Sequence, residues 1–129
     1  MELVTGTDRD KAVEKIHAAL EADSTIKVVL ATGKADTEAG GLAIEKFYTG
    51  KGYAVAGFDL CPETLRLIKA GIIRFTIDQQ PYVQGYYPVV ALTLYKRYGI
   101  KPFNIDAGAA LITKENVNSV VDLSARQVR

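Results

Sequence analysis

Residues 26–58 read IKVVLATGKADTEAGGLAIEKFYTGKGYAVAGF, and this stretch sets the fold class. It opens and closes on nearly unbroken apolar runs, IKVVLAT (26–32) and YAVAGF (53–58). Runs of that kind suit parallel strands buried on both faces. Between them Ala39, Leu42, Ala43, Ile44 and Phe47 recur at helical spacing, which predicts a helix from about Asp36 to Tyr48. Gly50-Lys51-Gly52 then supplies a C-terminal stop. Strand, helix and strand in this order form the unit of a parallel sheet.

The same alternation extends in both directions. ELVT (2–5), IRFTI (73–77) and NIDAGAALIT (104–113) read as further strands. A helix is expected over 8–22, with Ala12, Val13, Ile16, Ala19 and Leu20 on one face and Thr7 or Asp8 as its cap. Pro62 opens a third helix, 62–70, that stops at Gly71. Pro81 opens a fourth that reaches Tyr98 and ends at Gly99, and a short fifth is expected near 114–121. The expected fold is α/β, a three-layer αβα arrangement on a mostly parallel twisted sheet of about five strands, resembling a flavodoxin-like half. Arg74, Thr76 and Asp78 alternate with Ile73, Phe75 and Ile77, which suits a strand near an edge of that sheet.

Composition narrows the function. The 129 residues suit one domain, 1–129, and 48% hydrophobic with 24% charged residues is an ordinary globular balance. A net charge of +1 without long charge blocks argues against nucleic-acid binding. No apolar run approaches a membrane span, and MELVTGTDRD carries no signal-peptide pattern. One Cys and one His argue against an intrachain disulfide and a zinc site, and no cofactor is expected.

Ligands of open α/β sheets bind at the carboxyl ends of the strands. Asp36, Glu38, Asp59, Asp78 and Gln79 fall there. Carboxylates and amides are what vicinal hydroxyls need, because each hydroxyl both donates and accepts. The competing account is that strand-end loops are polar because they are solvated. ATGKADTEAGG (31–41) matches neither phosphate-loop pattern, and Asp36 and Glu38 would repel an anion there. Cys61 reads as a capping or buried thiol, and His17 as a flank of the first helix. No nucleophile motif appears. The remaining oddity is the fourth helix: Val83, Tyr86, Tyr87, Val89, Val90, Leu92, Leu94 and Tyr95 cover nearly all its sides, with Pro88 inside. A helix apolar all round asks for burial all round.

These residues resemble a family. DRDKAVEKIHAALEADSTIKVVLATG, the GFD of YAVAGFDLCPETLRLIKAG, TIDQQPYVQGYYPVVALTLYKRYG and AALITKENV are similar, in colinear order, to the C-terminal portion of ribose-type periplasmic sugar-binding proteins of ABC importers. LacI-type repressors share that fold in their effector domains. The resemblance implies two lobes that clamp a monosaccharide or related polyol, ABC importer membrane subunits as partners, a periplasmic or other extracytoplasmic location, and no catalysis. It matches Asp59 to an aspartate that accepts from sugar hydroxyls, and Gln79 to a ligand-binding glutamine at a lobe crossing. The family's Asn-Asp pair after the second strand is here Gly33-Lys34, where Asp36 or Glu38 offers a replacement.

The resemblance further implies that one whole lobe is missing. One strand would then be absent between ELVT and IKVVLAT, and the 81–98 helix would be built to pack on the missing lobe. Association as a homodimer or a strand- or helix-swapped oligomer is the expected repair. Three alternatives stand beside this reading. They are a LacI-type effector domain, a small α/β enzyme using Asp59 or Asp78, and a truncated lobe whose only activity is self-assembly.

Overall fold

A computed structural model describes residues 1–108 and 110–129. The order of elements is α1 (Arg9–Ala22), β1 (Val28–Leu30), α2 (Lys34–Phe47), β2 (Ala54–Phe58), α3 (Pro62–Lys69), β3 (Ile73–Asp78), α4 (Pro81–Tyr98), β4 (Ala110–Thr113) and α5 (Val121–Ala125), with a 3-10 turn at Val117–Ser119. The sheet runs β1-β2-β3-β4. The first two pairings are parallel and the last is antiparallel. The α/β reading holds, and β3 lies one strand in from the β4 edge.

Two strand expectations are corrected. Residues 2–5 are not part of the sheet, which has four strands among the described residues and not five. Lys15 Nζ holds the Val4 and Thr5 carbonyls at 3.1 Å each, and Thr5 Oγ1 donates to Asp36. An open groove of about 480 Å³ separates this segment from β1, with Leu3 on one wall and Val28 and Leu30 on the other. The groove falls where the resemblance implies another strand. The second correction concerns 104–113, where among the described residues only Ala110–Thr113 form the strand. Upstream, the Asp106 carboxylate accepts from Gly108 N at 3.0 Å, a local turn that competes with strand pairing. Ala109 lies outside the described residues.

The core fills one face of the sheet. Val55, Leu67, Ile68, Ile73, Ile112 and Val120 are buried there against α1, α2 and α3. A bulge between Val55 and Ala56 resets the register of β2 against β3. Ile73 is buried and Arg74 exposed as the alternation expects, but past the bulge the buried positions are Thr76 and Asp78, not Phe75 and Ile77. Val28, Leu30 and Leu111 stay exposed, so apolar side chains remain open outside this core. The second helical layer of the expected sandwich is thus not closed over them.

Side-chain capping shapes the helix starts. Asp8 Oδ1 accepts from Lys11 N at 3.1 Å, and Cys61 Sγ accepts from Thr64 N at 3.3 Å. His17 is not a simple surface flank. It stacks on Phe47 with ring centroids 3.8 Å apart and meets Tyr48 Oη at 2.9 Å, packing α1 to α2. The fourth helix forms with its expected bounds, Pro81–Tyr98, and only Ala91 along it is buried.

Arg66 joins α2 to α3 with a guanidinium shared between Glu45, at 2.6 Å, and Glu63, at 2.7 Å. Its hydrogen bonds first, and its charge as well, hold both carboxyls below their ordinary range, against a smaller opposing effect of burial. A carboxyl lowered in the folded state stabilises the fold above its unfolded pKa, and that contribution is lost as pH falls through the lowered value. These groups are a third to half exposed, so solvent screening limits the gain to no more than about 1 kcal/mol. Arg66→Ala should therefore melt earlier than the parent at pH 7, with the gap between the two narrowing as pH falls below the ordinary carboxylate range. A pH series of thermal melts measures this.

Candidate functional site

The carboxyl ends of β1 and β2 are held open by one hydroxyl. Ala31 N donates to Ala56 O at 2.9 Å, the last bond before the two strands part. Beyond it Thr37 Oγ1, from the first turns of α2, accepts from Phe58 N at 3.0 Å. The same hydroxyl lies 2.8 Å from Gly33 O and 3.1 Å from Phe58 O, either of which can take its proton. This approach needs Gly57, because a Cβ there would stand 2.1 Å from Thr37 Oγ1.

The next residue after β2 is Asp59. Its N–H donates to Ile77 O at 2.8 Å and its carbonyl accepts from Thr76 Oγ1 at 2.8 Å. Its φ of +68° lies in the left-handed region, where aspartate is among the tolerated residues. Pinned this way, the Asp59 carboxylate meets Gln79, whose Nε2 donates to Asp59 Oδ1 at 3.1 Å. Gln79 stands just past β3 and just before Gln80, a second left-handed residue with φ +49°.

Asp78 is 1% exposed. Its Oδ1 accepts from Gln80 N at 2.9 Å. Its Oδ2 lies 2.8 Å from Arg129 Nε, but out of line for a hydrogen bond, so this oxygen is balanced by charge alone. A cavity of about 420 Å³ opens over these groups, lined among others by Lys34, Asp59, Asp78, Pro81, Gln127 and Arg129.

The structure thus brings Asp59, Gln79 and Asp78 together and sets Asp36 and Glu38 apart. Asp36 accepts from Thr5 Oγ1 and borders the β1 groove. Glu38 receives Arg9 Nη1 at 3.5 Å and Cys61 Sγ at 3.7 Å. Arg129 is the participant that sequence reasoning missed. No motif marks it, and only the return of the C-terminal segment carries it to Asp78. Among the described residues there is no cluster of His, Cys, Asp and Glu able to hold a metal ion.

Residues 1–98 match the family model of the periplasmic binding protein domain. The chain belongs to this family. A curated relative, the xylose/arabinose-binding protein XylF of Sulfolobus acidocaldarius, is 42% identical over 76 residues, which is 57% of this chain and 19% of that one. Among solved structures, a carbohydrate transporter from Acidothermus cellulolyticus in complex with myo-inositol covers 98% of this chain at 29% identity and a TM-score of 0.83. A carbohydrate transporter solute-binding protein from Agrobacterium radiobacter, in complex with D-arabinose, covers 95% at 26% identity and a TM-score of 0.75. The chain spans 44% and 41% of those two structures. A LacI-type regulator at 18% identity and a TM-score of 0.69 shares the fold alone. The two sugar-bound neighbours and the curated relative are named for binding or transport, not for catalysis. No helix among the described residues is long and apolar enough to cross a membrane.

The Thr37 hydroxyl holds Phe58, the residue before Asp59. Thr37→Val keeps the shape of the side chain and leaves Phe58 N without its acceptor, at a cost of about 1–3 kcal/mol. Thr37→Ser keeps the hydroxyl and should lose less. Urea midpoints of the two variants against the parent measure the difference.

Proposed function

We propose that the chain is a non-catalytic solute-binding module, the C-terminal lobe with the last crossing helix and strand of a two-lobed monosaccharide- or polyol-binding protein of an ABC importer. The observation that carries this is the Asp59–Gln79 pair, 3.1 Å apart, with Asp59 on the wall of an open cavity. Gln79 uses one amide hydrogen on Asp59 Oδ1. Asp59 Oδ2 and the Gln79 side-chain oxygen, Oε1, then remain for two hydroxyl donors, and the second side-chain amide hydrogen for a hydroxyl acceptor. Adjacent hydroxyls of a pentose, hexose or inositol fit that set. The xylose/arabinose-binding relative and the inositol- and arabinose-bound neighbours support the ligand class. They favour solute binding over a regulator's effector domain, whose likeness is one of fold alone. The match to the periplasmic binding protein domain supports an extracytoplasmic place of action.

Calorimetry against pentoses, hexoses and myo-inositol tests this reading. Binding of at least one of them by the chain, or by the full two-lobed protein, and its loss in Asp59→Ala is the expected result. Heats that stay flat across the whole panel with both forms would sink it.

Association is the second part of the proposal. Tyr82, Tyr86, Val89, Leu92, Tyr95 and Tyr98 leave α4 exposed along its length. In the longer protein this helix would cross to the other lobe. The 129-residue chain on its own should form a homodimer or a strand- or helix-swapped oligomer. Sedimentation velocity should show a dimer or a larger species, whereas a stable monomer that binds no hydrophobic dye would rule association out.

A further inference from the structure

We propose that Arg129 is a positioning residue for this site, acting through Asp78 on the turn that carries Gln79. The inference rests on the solute-binding reading above, because it assigns a role within that site. Its first observation is electrostatic. Asp78 is a carboxylate at 1% exposure, and the only cation paired with it among the described residues is Arg129, at 2.8 Å. A buried carboxylate without a counter-charge is costly, and removing one partner of such a pair leaves the other stranded.

The second observation is what Asp78 does with its other oxygen. Oδ1 accepts from Gln80 N. Gln80 holds φ at +49°, outside the ordinary range of a non-glycine residue, so this turn needs external support. Its carbonyl is committed as well, accepting from Val83 N at 2.9 Å and Gln84 N at 3.2 Å as α4 begins. The Gln84 side chain adds a bond to Gln79 O at 2.6 Å. Gln79 is therefore aimed at Asp59 by a backbone whose unusual conformation is tied down on both sides, and one of the ties ends on Arg129.

The third observation is the route by which Arg129 arrives. The chain after α5 turns through Gln127, with φ +57°, and Val128 N donates to Leu123 O at 3.0 Å. This return places Gln127 and Arg129 on the cavity wall beside Asp59 and Asp78. Arg129 does not need to touch a sugar to act. Its guanidinium faces Asp78 Oδ2, Asp78 Oδ1 holds the Gln80 amide, and the turn presents Gln79.

The test compares Arg129→Gln, Arg129→Lys and the double variant Asp78→Asn/Arg129→Gln with the parent. Asparagine keeps an acceptor for Gln80 N while removing the stranded charge. Two quantities are read on each protein, namely sugar affinity by calorimetry and amide hydrogen exchange at Gln80 with the amides of β2 as internal reference. Arg129→Gln should speed Gln80 exchange relative to β2, and weaken sugar binding, each by roughly tenfold. The double variant should return both to within about threefold of the parent, and Arg129→Lys should fall between. Should Arg129→Gln fail to fold, the lysine and double variants carry the comparison. The idea is overturned if Gln80 exchange follows β2 in every variant, or if affinity is unchanged in Arg129→Gln while Asp59→Ala abolishes it. A parent that binds no sugar defeats the solute-binding reading instead, and the exchange measurement still decides whether Arg129 clamps the turn.

Discussion

There is no room for a Cβ at Gly57, and the carboxyl end of the sheet is organised around that fact. The bare backbone lets Thr37 press onto β2, and its hydroxyl replaces the strand partner that Phe58 N loses where β1 turns away. Two elements that diverge are thereby joined at the point of divergence. The gap between them stays open without leaving a buried N–H unpaired. Asp59 follows immediately, and Thr76 and Ile77 fix its backbone from the other side. The backbone that carries Asp59 is thus fixed by neighbouring elements on both sides.

Much of this was legible in the chain itself. IKVVLAT and YAVAGF do pair in parallel, but only YAVAGF is buried as its patterning asks, while Val28 and Leu30 of the first run stay exposed. Pro62 and Pro81 mark helix starts that the structure places at those residues. What failed to show is of a different kind. ELVT has the side chains of a strand, yet a strand exists only where a neighbour supplies hydrogen bonds, and residues 2–5 face a groove instead. NIDAGAALIT reads as one run, yet the Asp106 carboxylate captures a nearby amide at short range.

The polar cluster divides along the same line. Asp59, Asp78 and Gln79 sit at strand ends, so the rule for open α/β sheets reached them. Asp36 and Glu38 satisfied the same rule and have other partners, Thr5 in one case and Arg9 with Cys61 in the other. Strand-end position says that a residue is near the rim, not which way its side chain turns. Arg129 shows the converse case. Its place is fixed by tertiary return alone, which no local spacing encodes.

The start of α4 has a mechanical consequence. The helix is 18 residues long, about 27 Å at the usual rise, and it leaves the sheet directly from Gln80. It is a lever whose fulcrum is the turn at Gln80. A rotation of ~10° at that residue carries Tyr98 through roughly 5 Å, so a sub-ångström adjustment beside Asp78 is magnified at the far end of the helix.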